Sequence, residues 1–109
     1  MKKGDICIVR FTDGEGREQE GVRPAVFLAE TNTRIIIVAP LTSNLDAQKF
    51  PFTFLLEPDE INGLQSKSIV LLFHIRAIDK SRGGNVIGSM AKEEMDRMDG
   101  IVREMFKLK

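Results

Sequence analysis

Helical periodicity occurs only once in this 109-residue chain, at its C-terminal end. There Ala91, Met95, Met98, Val102 and Met105 recur at spacings of three and four, giving one apolar stripe, while Glu93, Asp96, Asp99 and Arg103 face water. Everything before this helix, predicted over residues 91–108, is cut into strand-length apolar runs by glycine, proline, asparagine and aspartate. Residues 4–11, 24–30, 34–40 and 50–56 read as strands, and residues 85–88 as a short last one. Residues 68–78, continuous through Ile69-Val70-Leu71-Leu72-Phe73, read as the strongest strand, buried on both faces. With a period of two, His74, Arg76 and Ile78 then share one face at its exposed end. Pro51 lacks a ladder donor and marks the 50–56 run as an edge strand. Phe50, Phe52 and Phe54 have the same parity along that run, which is a core pattern, although their rings are also potential stacking faces. Residues 12–20 read as a polar loop, and residues 58–64 as a turn or short helix. Short strands, a long acidic loop and a terminal helix lying on the sheet describe a mainly β chain with a C-terminal α-helix, of the SH3-like β-barrel kind. That fold hosts many activities and decides none of them.

The length predicts a single domain, residues 1–109, for which dimerisation would add materially to stability. Apolar residues make up 42% and charged residues 29%, with no long apolar segment and no signal-like start, so a soluble, cytoplasmic protein without a membrane partner is expected. The lone Cys7 excludes an internal disulfide and reads as a buried structural thiol. One cysteine and one histidine cannot build a zinc site between them, and Glu93, Asp96 and Asp99 read as a solvated helix face, so no metal or cofactor is expected. Sixteen basic and sixteen acidic residues cancel, yet they are unevenly placed. Lys67, Arg76, Lys80 and Arg82 stand against Asp79 alone, whereas Asp13, Glu15, Glu18 and Glu20 surround Arg17. The local basic edge suits a polyanion bound modestly and with visible salt dependence, and suits equally a solvated strip balanced elsewhere.

Two polar residues stand at predicted strand ends. Gly21-Val22-Arg23-Pro24 opens onto Ala25-Val26-Phe27-Leu28, which places a permanently charged guanidinium at the mouth of a buried strand. Pro24 stiffens this placement by fixing its own φ and pushing Arg23 into an extended conformation. The run from Arg34 to Leu41 ends on Thr42-Ser43-Asn44. Arginine and threonine at two strand ends suggest a phosphate site.

Taken in order, Gly21-x-Arg23-Pro24, then Ile37-Val38-Ala39-Pro40-Leu41-Thr42-Ser43, then Val70-Leu71-Leu72-x-x-Ile75-Arg76-x-x-Asp79-Lys80-x-Arg82, then Ile87-Gly88 and a helix with Glu93-Glu94-Met95, closely resemble the MazF/PemK family of toxin endoribonucleases. The resemblance runs over residues 4–108. It implies the MazF/PemK (CcdB-like) form of the SH3-like barrel and a homodimeric, metal-independent ribonuclease that cuts single-stranded RNA and is neutralised by a cognate antitoxin. It places the catalytic pair at Arg23 and Thr42 and implies products with 2′,3′-cyclic phosphate and 5′-hydroxyl ends. Arg76 and Lys80 are candidates for RNA backbone contacts, as is Ser43 beside Thr42; Arg76 paired with Asp79, or Lys80 as a solvated turn residue, are the structural alternatives. The chain departs from the family where Phe73 and His74 replace an acidic residue and a glutamine, where Ala77 replaces threonine, and where Ala91 replaces a capping serine. His74, the only side chain whose unperturbed pKa lies near neutrality, is a candidate proton donor or base-stacking group, or simply a histidine at the solvent edge. Two other readings share the fold: a non-enzymatic dimeric toxin of the gyrase-poisoning kind, and an inactive module that binds RNA or sequesters antitoxin.

Overall fold

Strand β3 (Ile35–Thr42) organises the molecule. In the computed structural model, which describes residues 1–11 and 21–108, β3 lies along β2 (Gly21–Glu30) at one edge and meets two partners at the other. Its first half pairs with β6 (Arg76–Asp79) and its end with β5 (Ser68–Leu71). Beyond β2 come β1 (Asp5–Phe11) and then β7 (Gly83–Ser89), while β4 (Thr53–Leu56) flanks β5. The result is a seven-stranded antiparallel sheet followed by one helix, α1 (Lys92–Met105), the mainly β class expected. The barrel is open: β4 and β7 end the strand order and are not paired with each other among the described residues. The predicted loop at residues 12–20 lies outside the described residues.

The expected single strand over residues 68–78 is in fact two strands joined by a 3₁₀ turn, Leu72–His74. Burial of Ile69, Val70, Leu71 and Leu72 is as anticipated, but the register changes midway. Leu41 faces Val70 whereas Val38 faces Arg76, so three residues along β3 correspond to six along the partner segment. The three-residue turn takes up the difference. His74 therefore sits in a turn and does not share a strand face with Arg76 and Ile78.

The phenylalanine run is also interrupted. Phe54 is buried in β4, an edge strand as Pro51 indicated, but Phe52 adopts a left-handed φ of 60° and Phe50 lies outside the strand, exposed. Alternation cannot carry through a left-handed residue, so the core reading fails for Phe50.

Alternation elsewhere divides the core between two faces. Cys7, Val9, Phe11, Ala25, Phe27, Ile36, Val38 and Ile78 form one cluster, and their chain neighbours Ile6, Val26 and Ala39 belong to the other with Leu41, Phe54, Val70 and Leu72. The predicted helix stripe covers this second cluster: Met98 is fully buried, and Met95, Val102 and Met105 pack beside it with Ile101. The opposite face is polar, and two of its three candidate metal carboxylates are in ion pairs, Asp96 with Lys92 at 3.1 Å and Asp99 with Lys3 at 2.8 Å. Cys7 is sealed in the core, where burial first and the Asp5 charge second push its thiol pKa up.

The helix starts without a side-chain cap. Ala91 occupies the cap position with extended backbone (φ −65°, ψ 159°), and Glu94 stands three residues on. Ala91→Ser would create the reciprocal pattern in which serine and glutamate satisfy each other's end of the first turn. This variant is expected to gain about 1 kcal/mol in chemical denaturation. No gain would show that water already satisfies those donors.

Candidate functional site

The strand carrying Arg23 starts earlier than expected. β1 supplies partners as far as Phe11–Gly21, so β2 begins at Gly21, and Arg23 lies within it, opposite Val9, instead of at its mouth. The β2–β3 ladder stops at Ala25–Pro40. Arg23 and Thr42 each lie two residues past that last pair, at the same end of neighbouring strands. Arg23 is half-buried with its Nε sealed from solvent, and lines a cavity of about 560 Å³ together with Ser43, Leu41 and Ile87. The lining is mixed: Ile8, Leu41 and Ile87 reduce the water that screens the cation, while Ser43, Gln65 and Ser66 offer hydrogen-bonding groups to an anion beside it.

Thr42 faces a second cavity, of about 280 Å³, shared with Asn44, Asp46, Lys49 and Phe50. Its position follows from local turn chemistry. The Thr42 Oγ1 accepts a hydrogen bond from the Asn44 N–H at 3.2 Å, and the Asn44 Oδ1 accepts from the Asp46 N–H at 3.1 Å, capping the 3₁₀ turn Leu45–Lys49. Because the Thr42 oxygen is used there as acceptor, its O–H remains available to donate. The structure thus brings Arg23 and Ser43 into one cavity and sets Thr42 at the neighbouring one.

The far wall of the Arg23 cavity comes from the end of the 58–64 segment, read from sequence as a turn or short helix and in fact a turn, and from the two residues after it. Gly63, Leu64, Gln65 and Ser66 line it. Asn62, only 1% exposed, holds this wall in shape: its Oδ1 accepts from the N–H groups of Asp59 and Leu64, and its Nδ2 donates to the Glu57 carbonyl at 2.8 Å. Asp59 Oδ1 in turn accepts from the N–H groups of Ile61 and Asn62. The Asn62-Gly63 pair was the available signal, since it marks a turn needing a positive φ, and Gly63 has φ 70°.

Although they share no strand face, His74 and Arg76 line a third cavity, of about 380 Å³, with Phe73 and Arg82. The Arg76 guanidinium also lies 5.1 Å from the centre of the Phe11 ring. Asp79, its possible partner by sequence, accepts from the Ser81 N–H at 2.8 Å and pairs with Arg34 at 3.7 Å. Those hydrogen bonds from Ser81, more than the arginine charges, hold the Asp79 carboxyl below the usual range. Lys80 is tied to Glu30 at 2.9 Å, and that hydrogen bond lowers the Glu30 pKa. An exposed pair of this kind contributes little to stability. Among the described residues, no cluster of three or more His, Cys, Asp and Glu side chains is arranged to hold a metal ion, and no helix is long and apolar enough to cross a membrane.

Comparison with known proteins finds likeness over nearly the whole chain. Residues 2–106 match the family described as PemK-like, MazF-like toxin of type II toxin-antitoxin system. The chain is 26% identical over 106 residues to the endoribonuclease MazF of Staphylococcus saprophyticus, an alignment spanning 94% of this chain and 88% of that protein. In three dimensions it resembles MazF of Deinococcus radiodurans, with a TM-score of 0.78, 25% identity, and coverage of 98% and 96% of the two chains. The MazE–MazF structure from the same organism gives a TM-score of 0.75 at 24% identity, covering 100% and 97%. A family match over residues 2–106 makes the chain a member of the PemK-like, MazF-like toxin family of type II toxin-antitoxin systems.

Proposed function

We propose that this chain is a toxin endoribonuclease that cuts single-stranded RNA as a homodimer and is held inactive by a cognate antitoxin. The observation that carries the proposal is the placement of Arg23 and Thr42 two residues past the same ladder end, with Ser43 in the Arg23 cavity. The relatives' names agree with it: one is an endoribonuclease, and another was solved with MazE.

RNA carries its own nucleophile. When the 2′-oxygen attacks the adjacent phosphorus, it loses its proton, the bond from phosphorus to the 5′-oxygen breaks, and that oxygen takes up a proton. The products are a 2′,3′-cyclic phosphate and a 5′-hydroxyl. Because the nucleophile is internal, no metal-activated water is needed, and the protein's tasks are to align the attack and stabilise the charge growing on the phosphoryl oxygens. Arg23 supplies a forked cation for those oxygens, and the Thr42 O–H donates to one of them. Arginine keeps its proton throughout the physiological range, so its role is electrostatic. Exposed Val22, Ile61 and Val86, on the strands and loop around the Arg23 cavity, provide apolar surface that a second copy would cover.

The test is digestion of a long single-stranded transcript in the presence of a chelator, with end-group analysis and determination of oligomer mass. Cleavage that persists with chelator and leaves cyclic phosphate ends supports the proposal; binding without cutting overturns it. In the same assay Thr42→Val is expected to lose about 10- to 100-fold in kcat, while Thr42→Ser retains most activity. Wild-type rates in Thr42→Val would remove Thr42 from the catalytic pair.

A further inference from the structure

Between the Thr42 cavity and the Arg76 cavity the surface is aromatic. Phe50 and Phe73 meet edge to face with ring centres 5.7 Å apart, and the Phe73 ring lies 4.5 Å from the His74 ring at a 45° tilt. Phe50 is 48% exposed and Phe73 38% exposed. Two large apolar rings left open side by side form a patch that calls for a partner, unlike single apolar residues scattered over a surface. The register step that breaks residues 68–78 into two strands is what turns Phe73 outward, and the left-handed Phe52 is what releases Phe50 from β4.

Cations bracket the rings on both sides. Lys49 Nζ lies 5.6 Å from the centre of the Phe50 ring, and Arg76 and Arg82 line the cavity that includes Phe73 and His74. Since Phe50 and Lys49 also line the Thr42 cavity, the strip runs from Thr42 through the aromatic rings to the arginines. A purely apolar protein partner has no use for positive charge at both ends of such a patch. An unpaired nucleotide does, because its base stacks on rings while its flanking phosphates seek cations.

From this alternation we infer that Phe50, Phe73 and His74 form a shelf on which one unpaired base of the RNA stacks, near the phosphodiester held at Thr42. This rests on the proposed ribonuclease reading and adds a means of substrate selection to it. A stacking shelf reads ring area and unpairedness, and is indifferent to the hydrogen-bonding edge of the base. The nucleotide bound there should therefore tolerate exchange between bases of one class, while an abasic residue is rejected.

The experiment uses a short RNA centred on a mapped cut site, made uncleavable by a 2′-O-methyl group at the nucleophile, with an abasic residue moved through each position in turn. Wild-type protein is expected to lose about 10- to 100-fold in affinity at one position. Phe50→Leu and Phe73→Leu keep apolar bulk but lose the aromatic face, so each should weaken binding of the intact RNA and respond less to the abasic residue at that position. Equal weakening of intact and abasic RNA, or no sensitive position, overturns the inference. If the two variants leave RNA binding unchanged but alter dimer mass or capture of the antitoxin, the shelf is a protein interface and the inference also fails. Cleavage of the long transcript by the same wild-type preparation keeps the two claims apart: absence of cutting sinks the ribonuclease reading, whereas cutting without an abasic effect sinks only the shelf.

Discussion

Arg23→Lys is expected to lower RNA cleavage by about 10²- to 10³-fold, mainly in kcat. Lysine preserves the charge, so any role as a simple attractor of RNA would survive the change. What it cannot reproduce is the planar fork that engages two phosphoryl oxygens at once. The placement adds to the loss, because Arg23 is half-buried with its Nε sealed from solvent, a seat shaped for a guanidinium that an ammonium would fill differently. RNA affinity should fall much less than kcat, since the fork acts most strongly as charge develops in the transition state. Retention of cleavage within about tenfold would reduce Arg23 to a binding residue.

Gly63→Ala is expected to cost about 3 kcal/mol of folding stability. Two effects add. With φ at 70°, a side chain is disfavoured by about 1–2 kcal/mol. A Cβ there would also fall 2.1 Å from the Ile87 carbonyl oxygen, a backbone atom with no freedom to swing aside, and overpacking of this kind costs about 1–3 kcal/mol. A domain near this size loses about 4–8 °C in Tm for each kcal/mol, so the shift should be plain in a thermal melt. Gly100→Ala is the matched control: it lies exposed in α1 with nothing within 4 Å of its added Cβ, and should gain about 0.5–1 kcal/mol. Similar behaviour of the two variants would contradict the close docking of the 57–64 loop on β7. That docking bears on function, because the same loop walls the Arg23 cavity.

The parts of the site legible in the sequence are those set by nearby residues. Arg23 stood out through Pro24 and the apolar run after it, and Thr42 through the turn-forming Ser43 and Asn44. At Asn62-Gly63 the turn was legible but its task as a cavity wall was not, because Asn62 is an ordinary polar turn residue until its side chain is buried and bonded to Glu57, Asp59 and Leu64. Phe50 misled for a related reason. Period-two reasoning assumes an unbroken extended chain, and the left-handed φ of Phe52 ends it.

By itself the sequence determined the mainly β class, the single terminal helix and the family resemblance, and it singled out Arg23 and Thr42 as candidates. Each of these is written in spacings of a few residues or in the order of short motifs. Tertiary structure alone decided that β3 takes β6 and β5 in different registers, that Phe50 and Phe73 meet at the surface, and that the 57–64 loop closes one side of the Arg23 cavity. All three depend on which distant residues face each other, and a local hydrophobic pattern constrains which face a side chain takes far more tightly than it constrains its partner.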